Sequence, residues 1–269
     1  MDRLFEPISL SRHTRLRWSP TRDFSFARDM RWVPVTYREL HRAAHHFPLC
    51  IRQTEAAPEL IAILADASGH NGYVGDDGAW LCPYVPFHLR LHPFSLAGDA
   101  TGRRGLAIAR SAALGETGDY PLFEAEGTLS AAARAVEKAL VEAAASLAEL
   151  RTACARLLAL GMARTTPEHL GDWLALEGCC GIDTDALKAA SPHVLTDLYA
   201  NAAAALELAE IIRFSHLGFR PARSSPRPRP AVTLRPKDSR APAAARPFQR
   251  PAAEFLDYGD TLDFDGDGF

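Results

Sequence analysis

Three prolines in close succession, Pro83, Pro86 and Pro93, constrain this chain more than any other feature. Each lacks a backbone N–H and locks φ, so neither a regular helix nor an interior strand runs through residues 71–94, NGYVGDDGAWLCPYVPFHLRLHPF. Asp77-Gly78 lies between the β-prone pairs Tyr73-Val74 and Trp80-Leu81, which predicts a hairpin turn. So many aromatic side chains in a broken segment must be buried or must bind something. Two readings follow. In one, Asn71, Trp80, Tyr84, Arg90 and Phe94 line a ligand groove, with Arg90 pairing a carboxylate. In the other, the same residues are core.

Around this stretch the chain divides by composition. Residues 1–32 interleave Arg12, Arg15, Arg17, Arg22, Arg28 and Arg31 with Trp18, Phe24, Phe26 and Trp32. Basic and aromatic residues together suit single-stranded nucleic acid. They suit equally an extended arm laid across a domain, which is the reading adopted. From residue 33 to 217 the pattern predicts an α+β domain, a mostly β portion (33–125) packed against a helical portion (126–217). Val33-Pro34-Val35 reads as an edge strand, and Thr36 with Glu39 as a capping box opening a helix to His46. Residues 47–52, 60–66, 106–109 and 120–123 read as strands, and residues 88–96 as a strand with His88, Arg90 and His92 on one face. The loop GDATGRRG (98–105) lacks both phosphate-binding glycine patterns and is read as a turn.

Residues 128–160 carry helical apolar spacing, with Gly161 as C-cap and a break expected near Leu150. Thr165-Thr166-Pro167-Glu168 reads as a helix start and residues 178–181 as a turn. A short helix is expected from Asp183 or Thr184. Ser191-Pro192 opens the last one, to Leu217, whose core stripe is Leu195, Leu198, Leu206, Leu208, Ile211 and Ile212.

Residues 218–253 alternate proline with arginine, the composition of an extended linker expected to be disordered, and residues 254–269 are acidic. Phe255, Tyr258, Phe264 and Phe269 stud that acidic tail, which reads as a docking peptide for a partner or for the protein's own basic groove. Asp263, Asp265 and Asp267 echo the start of a calcium loop without its remaining ligands.

The five cysteines form no Cys-x-x-Cys pair, which argues against a zinc ribbon or a disulfide framework. A net charge of −3 argues against nucleic acid as the main partner. No apolar run is long enough to cross a bilayer and the start lacks a signal-peptide pattern, so the expectation is a cytoplasmic protein. His41 and His45, at i and i+4, and the pair His88 and His92 are the histidines with metal-ligand potential. With Asp66 or Asp77 they contain the residue types of an iron or zinc oxygenase site, though not a recognised spacing. No cofactor is therefore expected on the leading reading, and iron or zinc on the alternative.

The ordered pieces Phe47-Pro48-Leu49, Leu60-Ile61-Ala62-Ile63-Leu64, Asn71-Gly72-Tyr73-Val74, Asp77-Gly78-Ala79-Trp80, Tyr84-Val85-Pro86 and Leu89-Arg90-Leu91-His92-Pro93-Phe94 resemble the SapC family. Leu122-Phe123 and Gly181-Ile182-Asp183 fit as well, so the resemblance covers about residues 30–217. His92 stands where an aromatic is usual, Arg110 where an acid is expected, and Cys179-Cys180 replaces a more regular turn. The resemblance implies a bacterial protein associated with surface layers, and its members tend to lie beside flavin-dependent halogenase-like proteins. It supplies no reaction. The expectation is a non-catalytic peptide- or protein-binding module that presents its ligand to a modifying enzyme or an export route. The alternative is the metal-dependent oxygenase.

Overall fold

A computed structural model describes residues 5–65, 69–98, 104–110, 112, 114–165 and 178–217. Its first elements are β1 (Phe5–Pro7), α1 (Leu10–His13), β2 (Arg17–Trp18), β3 (Trp32–Pro34), α2 (Leu40–His46) and β4 (Leu49–Arg52). There follow β5 (Glu59–Ile63), α3 (Phe87–Arg90), β6 (Phe94–Gly98), β7 (Arg104–Ala109) and β8 (Tyr120–Pro121). The second half holds α4 (Ala131–Ala159), β9 (Ala163–Thr165), β10 (Cys179–Ile182), α5 (Thr184–Ala189), α6 (Pro192–Asn201) and α7 (Ala203–Leu217). The fold is α+β, with sheets built mainly from the first half and helices from the second. No helix among the described residues is long and apolar enough to cross a membrane.

The two larger of three antiparallel sheets among the described residues carry the two main hydrophobic cores. The larger sheet has the order β3-β5-β4-β10-β9, and the smaller β1-β7-β6. Alternation along β4 and β5 sends Leu49, Ile51, Leu60 and Ala62 into the main core, and Cys50, Ile61 and Ile63 to the opposite face beside Cys179. The second core gathers Trp18, Leu91, Phe94, Leu106, Ile108 and Leu122 over the small sheet.

Helix α4 joins the two. Its first half gives Ala133, Val136 and Leu140 to the second core, and its second half gives Leu150, Cys154 and Leu157 to the main one. Ser130 caps it by accepting the N–H of Ala133 at 3.1 Å, and Gly161 at φ +67° ends it. The break expected near Leu150 is absent, because Leu150 is 1% exposed and its turn packs without interruption.

Four further expectations are corrected. Residues 88–96 are not one strand. Pro86 accepts the N–H groups of Leu89 and Arg90, which closes the single turn of α3, and Pro93 then separates it from β6. The predicted turn 178–181 supplies instead β10, an interior strand between β4 and β9, with the turn confined to Gly178 at φ +76°. The last helix breaks at Ala202 (φ −149°) into α6 and α7. Finally, the N-terminal arm is woven into the fold. β1 is an edge strand, β2 pairs with β8, and Trp18 and Phe24 are buried in different cores. The helix start at residues 165–168 lies, after Thr165 of β9, outside the described residues, as do Asp66 and the linker and tail from residue 218.

Candidate functional site

The proline-broken stretch is built as an anchor. The predicted turn is present. Gly75 donates to the carbonyl of Ala79 at 2.8 Å, Val74 bridges Trp80, and Gly78 sits at φ +80°. A Cβ on Gly78 would lie 2.1 Å from Asp23 Oδ1, so glycine is required there by both backbone conformation and space. Asn71, 5% exposed, donates to the carbonyl of Ala27 at 3.0 Å and accepts the N–H of Tyr73 at 3.0 Å. The indole of Trp80 stacks near Tyr73 and Phe24 and donates to the carbonyl of Tyr84 at 2.7 Å.

Beneath it lies a buried carboxylate. Glu39 Oε1 accepts the N–H and hydroxyl of Thr36 at 2.9 and 3.1 Å, and Oε2 accepts the Tyr84 hydroxyl at 2.7 Å and the N–H of Phe87 at 2.8 Å. The capping box read from the sequence is therefore the first half of a clamp joining α2 to the Pro86 turn. Burial raises the Glu39 pKa, and its hydrogen bonds from the Thr36 and Phe87 N–H groups and the Tyr84 hydroxyl, with the charge of Arg90, work against that rise. Arg90 lies over the rings of Tyr84 and Phe87 at 5.6 and 5.7 Å.

Of the five groove residues, Trp80, Tyr84 and Arg90 do come together, inside the main core. Tyr84 is 2% and Arg90 5% exposed. Asn71 fixes a turn beside them, while Phe94 belongs to the second core, edge-on to Trp18 at 4.9 Å. Trp80, Tyr84 and Arg90 are packed on one another, and all five residues lie within the fold as the core reading of the pattern has them.

The histidines part company as well. His41 meets Glu207 at 3.3 Å and His45 meets the Phe214 ring edge-on at 4.9 Å, so both face α7. His88 sits on α3 with Nε2 buried and unpartnered. His92 stacks flat on Phe26, centroids 3.6 Å apart, and thus takes the place of the aromatic expected before Pro93. Burial lowers the pKa of both His88 and His92 to about 4, so both are neutral rings at ordinary pH. Among the described residues no three His, Cys, Asp or Glu side chains converge as a metal set. Asp77 belongs to the hairpin turn, where it accepts the N–H of Ala79.

The surface concavity that sequence reasoning missed lies at the other end of the chain. Helices α5, α6 and α7 border an open groove of about 580 Å³, within the size range of small-ligand pockets. Leu187, Leu195, Tyr199 and Leu206 form its apolar wall, and Thr184, Lys188, Thr196, Glu210 and Arg213 its polar margin. Local sequence explains the shape. Asp183 caps α5 by accepting the N–H groups of Asp185 and Ala186, and Ser191 with Pro192 starts α6 afresh, which sets the two helices at a corner. The break at Ala202 then redirects the chain from α6 into α7.

Leu198, Leu208, Ile211 and Ile212 face the main core and Leu206 packs against it, while Leu195 and Tyr199 (i, i+4) and Leu206, Glu210 and Arg213 (i, i+4, i+7) line the groove. Tyr199 is 76% exposed, and Arg213 is held by Glu210 at 2.7 Å. The signal in the sequence was Leu195 and Tyr199, an apolar i, i+4 pair on α6 beside the core-facing Leu198. A smaller concavity of about 340 Å³ lies between Ile8, Leu10, Leu106, Phe123 and Leu129.

A family model, SapC, matches residues 8–220, taking in the N-terminal arm as well as the sheets and helices. No curated protein and no solved structure matches the chain.

Proposed function

We propose, from the premise that the chain belongs to the SapC family, that it is a non-catalytic peptide- or protein-binding module. Its recognition surface is the groove of α5, α6 and α7, rather than the proline-broken stretch from which the same activity was expected. One observation carries this reading. Tyr199, 76% exposed, and the half-buried Leu195 and Leu206 line an open concavity of about 580 Å³ beside Lys188, Glu210 and Arg213, chemistry that can seat apolar side chains of a peptide. Asn71, Trp80 and Tyr84 of the central stretch, by contrast, already have hydrogen-bond partners within the fold.

The ligand on this reading is a peptide with large apolar or aromatic anchors and a carboxylate placed for Lys188. Holding it would let the protein present it to a modifying enzyme or an export route. The test is selection of peptides from a displayed library on the full chain, followed by affinity measurement on Tyr199→Ala and Leu195→Ser. Selected peptides should be rich in aromatic residues and should bind either variant at least tenfold more weakly. Peptides that bind both variants as tightly as the parent would remove the groove from the proposal.

A further inference from the structure

We infer that the α5–α7 groove is occupied in cis by this chain's own acidic segment, residues 254–269, so that an external peptide must displace it. The inference rests on the groove being a peptide site. It adds the occupant and hence a form of regulation.

Three features argue for this segment. The first is anchor chemistry. Residues 254–269 carry Phe255, Leu256, Tyr258, Leu262, Phe264 and Phe269, and so can supply the apolar groups that a wall of Leu187, Leu195, Tyr199 and Leu206 would bury.

The second is charge. Glu254, Asp257, Asp260, Asp263, Asp265 and Asp267 are accompanied by no lysine or arginine in the segment. At the groove margin Glu210 is paired by Arg213, which leaves the exposed Lys188 to set the local sign. An Asp257 between Leu256 and Tyr258 puts a carboxylate next to anchors, as that margin requires. The intervening residues 218–253 carry the opposite charge.

The third is reach. Arg213 of the groove lies four residues before Leu217, about 6 Å along the helix. The intervening residues 218–253 number 36, a contour of at most about 120 Å. The groove lies well within that reach.

The experiment compares the full chain with a full-length variant in which Phe255, Tyr258, Phe264 and Phe269 are each replaced by serine. Hydrogen exchange by mass spectrometry is read over α6 and α7, and a fluorescein-labelled peptide of residues 254–269 is titrated into both proteins. Groove amides should exchange at least threefold more slowly in the parent, independently of protein concentration. The labelled peptide should bind the variant at least tenfold more tightly than the parent.

Equal exchange in the two proteins overturns the inference. So does protection that grows with concentration, which would mean that the segment docks on a second copy. A labelled peptide that fails to bind the variant also overturns it. If library-selected peptides still bind that variant through Tyr199, the module reading survives and only the occupant is wrong. If they too fail, both readings fall.

Discussion

The proline-broken stretch and the helical groove teach opposite lessons about aromatic and apolar residues. Residues 71–94 look like a binding site because they are rich in rings and charge. Their partners are one another: Trp80 donates to the Tyr84 carbonyl, the Tyr84 hydroxyl donates to Glu39, and Arg90 covers Tyr84 and Phe87. The α5–α7 region looks like an ordinary alanine- and leucine-rich helical core. There the break at Ala202 and the helix start at Ser191 leave Tyr199 exposed and Leu195 and Leu206 half-buried. Ligand capacity belongs to groups the fold has not satisfied, and the residue types alone do not reveal which those are.

Four substitutions test that contrast, beginning with the largest expected effect. Glu39→Ala leaves the Thr36 and Phe87 N–H groups and the Tyr84 hydroxyl buried without their acceptor, and should cost about 3–5 kcal/mol. Urea unfolding measures it, and a loss below about 1 kcal/mol would mean that the clamp is not structural.

Trp80→Ala removes a half-buried indole and its hydrogen bond and should cost about 2–4 kcal/mol. The folded fraction should keep its affinity for selected peptides. A variant of undiminished stability that had lost its ligand would restore the central groove and reverse the comparison.

Tyr199→Ala should behave in the opposite way. Stability should stay within about 0.5 kcal/mol of the parent because the side chain is 76% exposed, while peptide binding weakens at least tenfold.

The smallest effect concerns acid. The folded pKa of His92 lies near 4, below its ordinary value of 6.5, so its contribution to stability is present above pH 6.5 and is lost as pH falls through 4. His88 follows the same sign. Glu39, with its pKa raised, has the reverse sign: its contribution is present at low pH and is lost as pH rises through the folded pKa. His92→Phe keeps the stack on Phe26 and removes one titration, so the variant should gain about 1 kcal/mol relative to the parent at pH 5 and little at pH 8. Parallel pH–stability curves for the two proteins would show that His92 is not held neutral.

Several elements were legible because their cause is local. The Thr36–Glu39 capping box, the Gly78 turn, the Gly161 cap and the Ser191-Pro192 helix start each depend on residues within a few positions, and each is where the chain implied. The α+β division and the family membership were legible in the same way, from periodicity and from ordered pieces of sequence. Strand β10 was not. Cys179-Cys180-Gly181-Ile182 has too little length and too much glycine to announce a strand, and only its place between β4 and β9 makes it one.

The candidate site divides along the same line. That residues 71–94 could hold no long helix, and that their rings needed partners, followed from proline geometry and hydrophobicity alone. Whether those partners were a ligand or the protein itself was decided in three dimensions, where Glu39, far away in sequence, supplies the acceptor for Tyr84 and Phe87. The exposure of Tyr199 beside the half-buried Leu195 and Leu206 was likewise a tertiary outcome. An apolar stripe specifies that something must cover it, and only the packing of the other elements determines whether the fold does so or leaves the place open.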